Sequence, residues 1–419
     1  MDLYRELQWR GLIYDATEGV GDVLGREKVT VYSGFDPTAA SLHVGNLVPI
    51  MGLAHFQRAG HSPIALVGGG TGLIGDPSGK NNERELLTTD QVAVNVAGVR
   101  AQLSRFLDFD AGSVQARLVD NAEWLTGLGA IDFMRDVGKH FTVNYMQAKE
   151  SVKRRLGGEE GISYTEFSYL LLQAYDYLVL HERYACSVQI GGSDQWGNIT
   201  AGMELIRRVH AAKAHGLVLP LVTTASGTKF GKTEAGTVWL DPALTSPYVF
   251  YQFWLNVDDR DVVPYLKHFT FLERGRIDEL AAQPPEQRTA QRELAREMTQ
   301  RVHGEAAVKQ AEAAAQALFG GDVAGMSVGQ LLQVFPNVPS FTTRLEPAGR
   351  AIVDLLSSSG VTKSKSEATR LIRNGGIYVN GSRITDEKLH LCPEDAVEGQ
   401  LFVVRKGKRE NFLIRIAQA

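Results

Sequence analysis

Lys229 and Lys232 stand three residues apart in Lys229-Phe230-Gly231-Lys232-Thr233, with glycines at 227, 231 and 236 around them. Ammonium groups on such a loop suit an anion whose charge grows during a reaction, since a group that arrives with the transition state lowers the barrier. Roughly 185 residues earlier the chain reads Tyr32-Ser33-Gly34-Phe35-Asp36-Pro37-Thr38 and then Leu42-His43-Val44-Gly45-Asn46. An apolar β-type run, Val29 to Tyr32, leads into it. Gly34 and Pro37 favour a turn, and Leu47 to Phe56 has the apolar period of a helix. A strand, a polar turn and a helix start present unpaired backbone N–H groups to a phosphate, and Thr38 and His43 add side-chain donors. Gly45 lets the backbone come close to a flat base or ribose. Either motif alone also fits a capped helix start or a solvated basic turn. Their joint presence points to a bound triphosphate.

The elements that must hold these groups alternate. Ile64 to Gly70 reads as a fully buried strand, followed by Gln115 to Val119, Cys186 to Ile190 and Leu217 to Thr223. Helices are expected between them, over Arg84 to Asp108 and Ser163 to His181. The alternation predicts an α/β fold with a doubly wound, Rossmann-like parallel sheet, whose ligands sit beyond the C-terminal strand ends. Asp76, Lys80 and Arg84 follow one glycine-rich strand end, and Asp194 and Gln195 follow Gly191-Gly192. The 163–181 helix puts Tyr169, Gln173 and Asp176 on one face, which turns either to solvent or to a ligand. The stretch 121–161 interrupts the alternation with Trp124, Phe133, Val137, Phe141 and Tyr145. It forms either a local core or an apolar surface that needs a partner.

A chain of 419 residues, 44% hydrophobic and 22% charged, is expected to be a soluble globular protein of two or three domains. No apolar run approaches the ~18 residues of a membrane span, and the charged start, Met1 to Glu6, does not resemble a secretory signal. The expected compartment is therefore the cytoplasm, with no membrane partner. Cys186 and Cys392 lack metal-ligand spacing, which argues against a disulfide scaffold and a zinc site. The net charge of −4 conceals an asymmetry, because residues 350–419 carry 12 Lys+Arg and 8 Asp+Glu, a local +4 against −8 for the rest. A polyanion such as RNA would meet that C-terminal part.

The paired motifs resemble the two signature sequences of class I aminoacyl-tRNA synthetases, the second in the form found in bacterial tyrosyl-tRNA synthetases. The likeness extends over nearly the whole chain. It implies activation of L-tyrosine by ATP to tyrosyl-adenylate and pyrophosphate, then transfer to the 3′ end of tRNA(Tyr), with Mg2+ accompanying ATP and no tightly bound cofactor. Carried over residue by residue, it puts Tyr32 and Asp176 at the phenol hydroxyl, and Asp76, Tyr169 and Gln173 at the α-ammonium. Gln195 would hold the reacting carboxylate. Gly34, Asp36, His43, Gly45, Asn46, Asp194 and Lys232 would face the nucleotide. Thr38, His43, Asn46, Lys80, Arg84, Lys229, Lys232 and Thr233 would serve the reaction as pyrophosphate leaves. Asn46 departs from the pattern, which usually ends in a second histidine.

By the same resemblance, 1–225 is the catalytic domain, its insertion 121–161 forms a homodimer interface, and 226–320 carries the lysine loop and an all-helical tRNA-binding domain. A linker, 321–349, then leads to a small α+β unit, 350–419, like the S4 RNA-binding domain, with Lys363, Lys365, Arg370 and Arg373 facing phosphates. Two other functions fit parts of the chain. A cofactor-biosynthetic adenylyltransferase would need only the N-terminal half, and a non-catalytic RNA-binding protein only the C-terminal unit. Within the synthetases tryptophan is the nearest alternative substrate.

Overall fold

The structure, a computed structural model, describes residues 2–78, 87–158, 161–227, 230–233, 236–318, 326–335, 338–407 and 410–417, with backbone alone at 232–233, 316–318 and 333–334. Lys80, Arg84 and Lys229 therefore lie outside the described residues, as do the side chains of Lys232 and Thr233. Two compact units form, one of 1–245 with 253–302 and one of 246–252 with 303–419. These limits differ from the boundaries expected at 225, 320 and 349.

A six-stranded sheet frames the first unit, in the order β1 (Asp15–Ala16), β6 (His215–Leu219), β5 (Cys186–Gly192), β2 (Thr30–Phe35), β3 (Ser62–Val67), β4 (Arg117–Asp120). Only β1 runs antiparallel to its neighbour. From Pro63 onward β3 is buried, as is the whole of β6, which is the pattern of strands covered on both faces. Successive β2 and β3 lie side by side, while β5 takes the other flank of β2. The winding thus reverses between β2 and β5, and the crevice outside their C-terminal ends is where an open α/β sheet holds its ligand.

Two local expectations change. Gly34 lies inside β2, paired with Leu66, and not in a turn; nothing stands within 4 Å of where its Cβ would be. The last strand stops at Leu219, because Pro220 has no N–H to continue the ladder, so Leu221 to Thr223 line the crevice instead. Residues 253–302 pack onto the first unit. The buried Arg10 guanidinium donates to the carbonyls of Lys267, Thr270 and Leu272 at 2.8–3.0 Å.

In the second unit five strands run in the order Ser382–Arg383, Ile377–Val379, Leu401–Lys406, Glu410–Ile416, Ser340–Thr343. The helices Ile352–Ser358 and Lys365–Arg373 cover one face through Leu355, Ala368 and Ile372, packed on Val379, Phe402 and Ile414. On the other face Leu401, Val403 and Leu413 meet Ala314, Leu331 and Phe335. The stretch 321–349, expected as a linker, thus supplies the helix Val328–Val334 and an edge strand. Ser-Phe-Thr-Thr carries too little apolar alternation to announce a strand. Among the described residues no helix is long and apolar enough to cross a membrane.

Candidate active site

A cleft of about 610 Å3 opens at the C-terminal ends of β2 and β5. Tyr32 enters it from the middle of β2, and Asp176 from the helix Tyr164–Tyr184; both are buried. Asp176 accepts from Nδ2 of Asn121 at 2.9 Å and from Nε1 of Trp124 at 2.8 Å. Burial pushes its carboxyl up to about 8, against the pull of these two donors. The Tyr32 hydroxyl is buried with no hydrogen-bond partner among the described residues. Burial, then the Asp176 charge, hold that phenol well above its usual value, so it stays protonated.

Further along the same helix, Tyr169 and Gln173 face the cleft beside Asp76. Tyr169 donates its O–H to Oδ2 of Asp36 at 2.8 Å, which turns its oxygen into an acceptor for a third group. Burial and the carboxylates of Asp36 and Asp76 keep that phenol protonated. Asp36, expected at the nucleotide, also accepts from Thr71 Oγ1 at 2.8 Å, so each of its carboxylate oxygens has a hydrogen-bond donor within the protein. Any side chain at Gly68 would collide with that carboxylate, which explains a glycine there. Gln195 Nε2 donates to Asp76 Oδ2 at 2.7 Å. The Asn198 amide reaches Gln173 Oε1 at 2.9 Å and Gln195 Oε1 at 3.1 Å. Three acceptors, Asp76, Tyr169 and Gln173, thus converge where an ammonium would fit.

In the first motif His43 caps a single helical turn, Val44–Asn46, that leads into the helix Leu47–Arg58. Gly45 N–H donates to His43 Nδ1 at 3.0 Å, which leaves the ring proton on Nε2. His43 N–H donates in return to Asn46 Oδ1 at 3.0 Å. A Cβ at Gly45 would sit 2.7 Å from the His43 ring. The second motif lies against the first. His43 and Trp239 form an antiparallel bridge, Val44 N–H donates to Val238 O at 3.0 Å, and Leu240 N–H to Leu42 O at 2.9 Å. Phe230 is buried between the rings of Tyr265 and Phe269, at 4.9 and 5.1 Å. Lys232 and Thr233 pair through the backbone with Thr237 and Gly236. Thr38, Gly34 and Asp194 also line the cleft.

The four cations assigned to RNA lie in the second unit, all exposed, on or beside the helix Lys365–Arg373. Lys365 pairs with Asp354 at 2.6 Å and Arg373 with Glu387 at 2.7 Å, both at the surface. Lys365, Arg370 and Arg373 line one shallow concavity with Thr369 and Asn374.

Sequence reasoning did not assign Asn121 and Gln189, which line the cleft, or Trp124 and Asn198, which hydrogen-bond to residues that line it. Asn121 and Trp124 follow the end of β4, a position that could have marked them. Asn198 falls one turn beyond Gln195. Gln189 stands opposite Tyr32 in the β2–β5 register, with its Oε1 buried and unpartnered; a lone glutamine between Val188 and Ile190 was its signal.

A family model described as tRNA synthetases class I (W and Y) matches residues 25–320, and one described as the tyrosine–tRNA ligase SYY-like C-terminal domain matches 330–414. A tyrosine–tRNA ligase of Roseiflexus castenholzii is 58% identical over 417 residues, 98% of each chain. One from Bacillus caldotenax is 54% identical over the full length of both. A solved, C-terminally truncated mitochondrial tyrosyl-tRNA synthetase of Aspergillus nidulans matches with TM-score 0.68 and 31% identity, over 76% of this chain and 94% of that one. A tryptophanyl-tRNA synthetase of Encephalitozoon cuniculi, 11% identical at TM-score 0.53, shares the fold alone. Full-length identity at this level, joined to a cleft at the switch point of a Rossmann-like sheet, settles the family: the chain belongs to the class I aminoacyl-tRNA synthetases as a tyrosine–tRNA ligase, which takes ATP as a substrate.

Proposed function

We propose that the cleft holds L-tyrosine with its phenol between Tyr32 and Asp176 and its ammonium among Asp76, Tyr169 and Gln173. ATP lies over Gly34, His43, Gly45 and Asn46. The observation that carries this reading is the Tyr32 hydroxyl, buried without a partner in the same cleft as the Asp176 carboxylate. An unmet buried hydroxyl costs about 1–3 kcal/mol, and a ligand phenol that accepts from Tyr32 and donates to Asp176 satisfies both.

The tyrosine carboxylate attacks the α-phosphorus of ATP. One O–P bond forms, the bond to the pyrophosphate oxygen breaks, and negative charge moves onto pyrophosphate. The substrate supplies the nucleophile, so the protein contributes position and charge. Thr38 and the Nε2–H of His43 donate to the departing phosphates, with Asn46 beside them. Lys80, Arg84, Lys229 and Lys232 complete the cationic cover, and Thr233 adds a neutral hydroxyl donor, by residue type and by resemblance. Asp194 accepts from a ribose hydroxyl, and Gln195 orients the reacting carboxylate. Mg2+ enters with the nucleotide. Among the described residues no group of three His, Cys, Asp or Glu is placed to hold a metal ion, so no step is assigned to protein ligands.

For transfer, Lys363, Lys365, Arg370 and Arg373 contact tRNA phosphates. A second copy of the chain covers the exposed Ile131, Met134, Val143 and Leu156 of the insertion, and the enzyme works in the cytoplasm, where its tRNA is used. The test is single-turnover adenylate formation by Lys232→Ala. The rate falls by ~2.7–4 kcal/mol of barrier while tyrosine affinity holds. An unchanged rate removes the lysine from the reaction.

A further inference from the structure

Glu166, Tyr169, Gln173 and Asp176 follow one another at i, i+3, i+7 and i+10 along the helix Tyr164–Tyr184, and so share a face. The stretch 121–161 grips that face at both ends. Asn121 and Trp124 hold Asp176 at one end. At the other, Arg155 forks onto Glu166, with Nε 3.0 Å from Oε1 and Nη2 2.8 Å from Oε2. Their side chains are only 3% and 4% exposed.

Burying an ion pair this completely gains little net stability, since desolvation offsets most of the attraction. Apolar burial alone would dock the insertion, and its Phe141 and Met146 already belong to the same buried cluster as Leu170 and Ala174 of that helix. A planar guanidinium set against a carboxylate adds direction, because two parallel hydrogen bonds fix the rotation of the helix as well as its position. Tyr169 lies one turn beyond Glu166, and Gln173 one turn further.

We propose that Arg155 is a positioning residue for amino-acid recognition. Through Glu166 it sets the register of the helix so that Tyr169 and Gln173 meet the α-ammonium. This rests on the reading of those two residues as the ammonium end of the site. The phenol end has its own anchors in Asn121 and Trp124, so loss of Arg155 divides the site. Ligands that carry the ammonium suffer, and a ligand with only the phenol and the carboxylate does not. A merely structural role produces no such division.

The experiment compares the full-length parent, Arg155→Met, Arg155→Lys and Gln173→Ala for binding of L-tyrosine, tyramine and 3-(4-hydroxyphenyl)propanoate, which lacks the ammonium. Arg155→Met weakens tyrosine and tyramine about tenfold and the propanoate less than about twofold, with KM for tyrosine in ATP–pyrophosphate exchange raised and kcat held. Arg155→Lys keeps the charge without the fork, shifts the same two ligands by less, and stands in if the Met variant fails to fold. Gln173→Ala calibrates the ammonium end. If it weakens all three ligands alike, or none, the ammonium reading fails and the proposal falls with it. If Gln173→Ala is selective while the Arg155 variants bind all three like the parent, or lose all three alike, the ion pair is packing only and the proposal is overturned.

Discussion

Trp124 donates its indole N–H to Oδ1 of Asp176 across 2.8 Å, while Asn121 occupies Oδ2 at 2.9 Å. Each carboxylate oxygen keeps acceptor capacity for a ligand hydroxyl. The two donors work against the burial that lifts the group to about 8. On the proposed reading, recognition of the phenol therefore depends on a carboxyl group that burial pushes up to about 8.

The ratio of tyrosine to phenylalanine affinity accordingly rises as pH rises through about 8, because ionised Asp176 is a stronger, charge-assisted acceptor for the phenol O–H than the neutral carboxyl. Both ligands carry the same ammonium and carboxylate, so the ratio cancels their titration. Asp176→Asn flattens the profile. A ratio that fell with pH would mean that protonated Asp176 donates to the phenol oxygen.

The same ionisation bears on stability with a defined sign. The folded value lies above the ordinary 3.8, so the folded state binds more protons between these limits and stability falls as pH rises from about 4 to about 8. Thermal unfolding of the ligand-free Asp176→Asn variant should lack this fall. An identical pH slope in parent and variant would show that Asp176 ionises normally.

Tyr32→Phe removes a hydroxyl that has no hydrogen-bond partner among the described residues. The ligand-free variant should melt no lower than the parent, while tyrosine binds more weakly by one neutral hydrogen bond, ~0.5–1.5 kcal/mol. Phenylalanine affinity should hold. Loss of stability without loss of tyrosine affinity would show that the hydroxyl serves the fold.

Asn46→Ala loses the acceptor that caps His43 N–H at 3.0 Å, as well as an amide donor beside the phosphates. Losing such a cap costs ~0.5–2 kcal/mol of stability, and loss of the donor slows adenylate formation by ~0.5–1.5 kcal/mol. Calorimetry and single-turnover kinetics separate the two. A variant destabilised but as fast as the parent would leave Asn46 a cap alone.

The alternation of strands with helices and the place of the cleft were legible because glycine-rich strand ends and charged turns are local signals. Tyr169, Gln173 and Asp176 could be put on one face by spacing, yet their partners could not be named, since Asn121, Trp124 and Asn198 arrive from other segments. Asp36 was assigned to the nucleotide by resemblance, and its hydrogen bond from Tyr169, 133 residues away, could not be read from spacing. The edge strand Ser340–Thr343 was invisible because what makes it a strand is its pairing with the distant Glu410–Ile416, which it joins in parallel. The side chains of the lysine loop lie outside the described residues, and their roles rest on chemistry and resemblance.

Arg370→Ala should raise KM for tRNA and leave ATP–pyrophosphate exchange untouched, since the residue is exposed in the second unit. The slope of log affinity against log salt should shrink by about 0.7–0.9 per lost phosphate contact. An unchanged slope would place the RNA surface elsewhere.

The central claim is that Tyr32 and Asp176 read a phenol, and amino-acid-dependent ATP–pyrophosphate exchange across all twenty amino acids tests it most directly. The account predicts exchange with tyrosine, and with phenylalanine about 10⁴–10⁵-fold less. That range belongs to sites built to bind a substrate hydroxyl, for which tyrosine-specific synthetases are themselves the standard example. Exchange with phenylalanine or tryptophan at a rate comparable to tyrosine would contradict it.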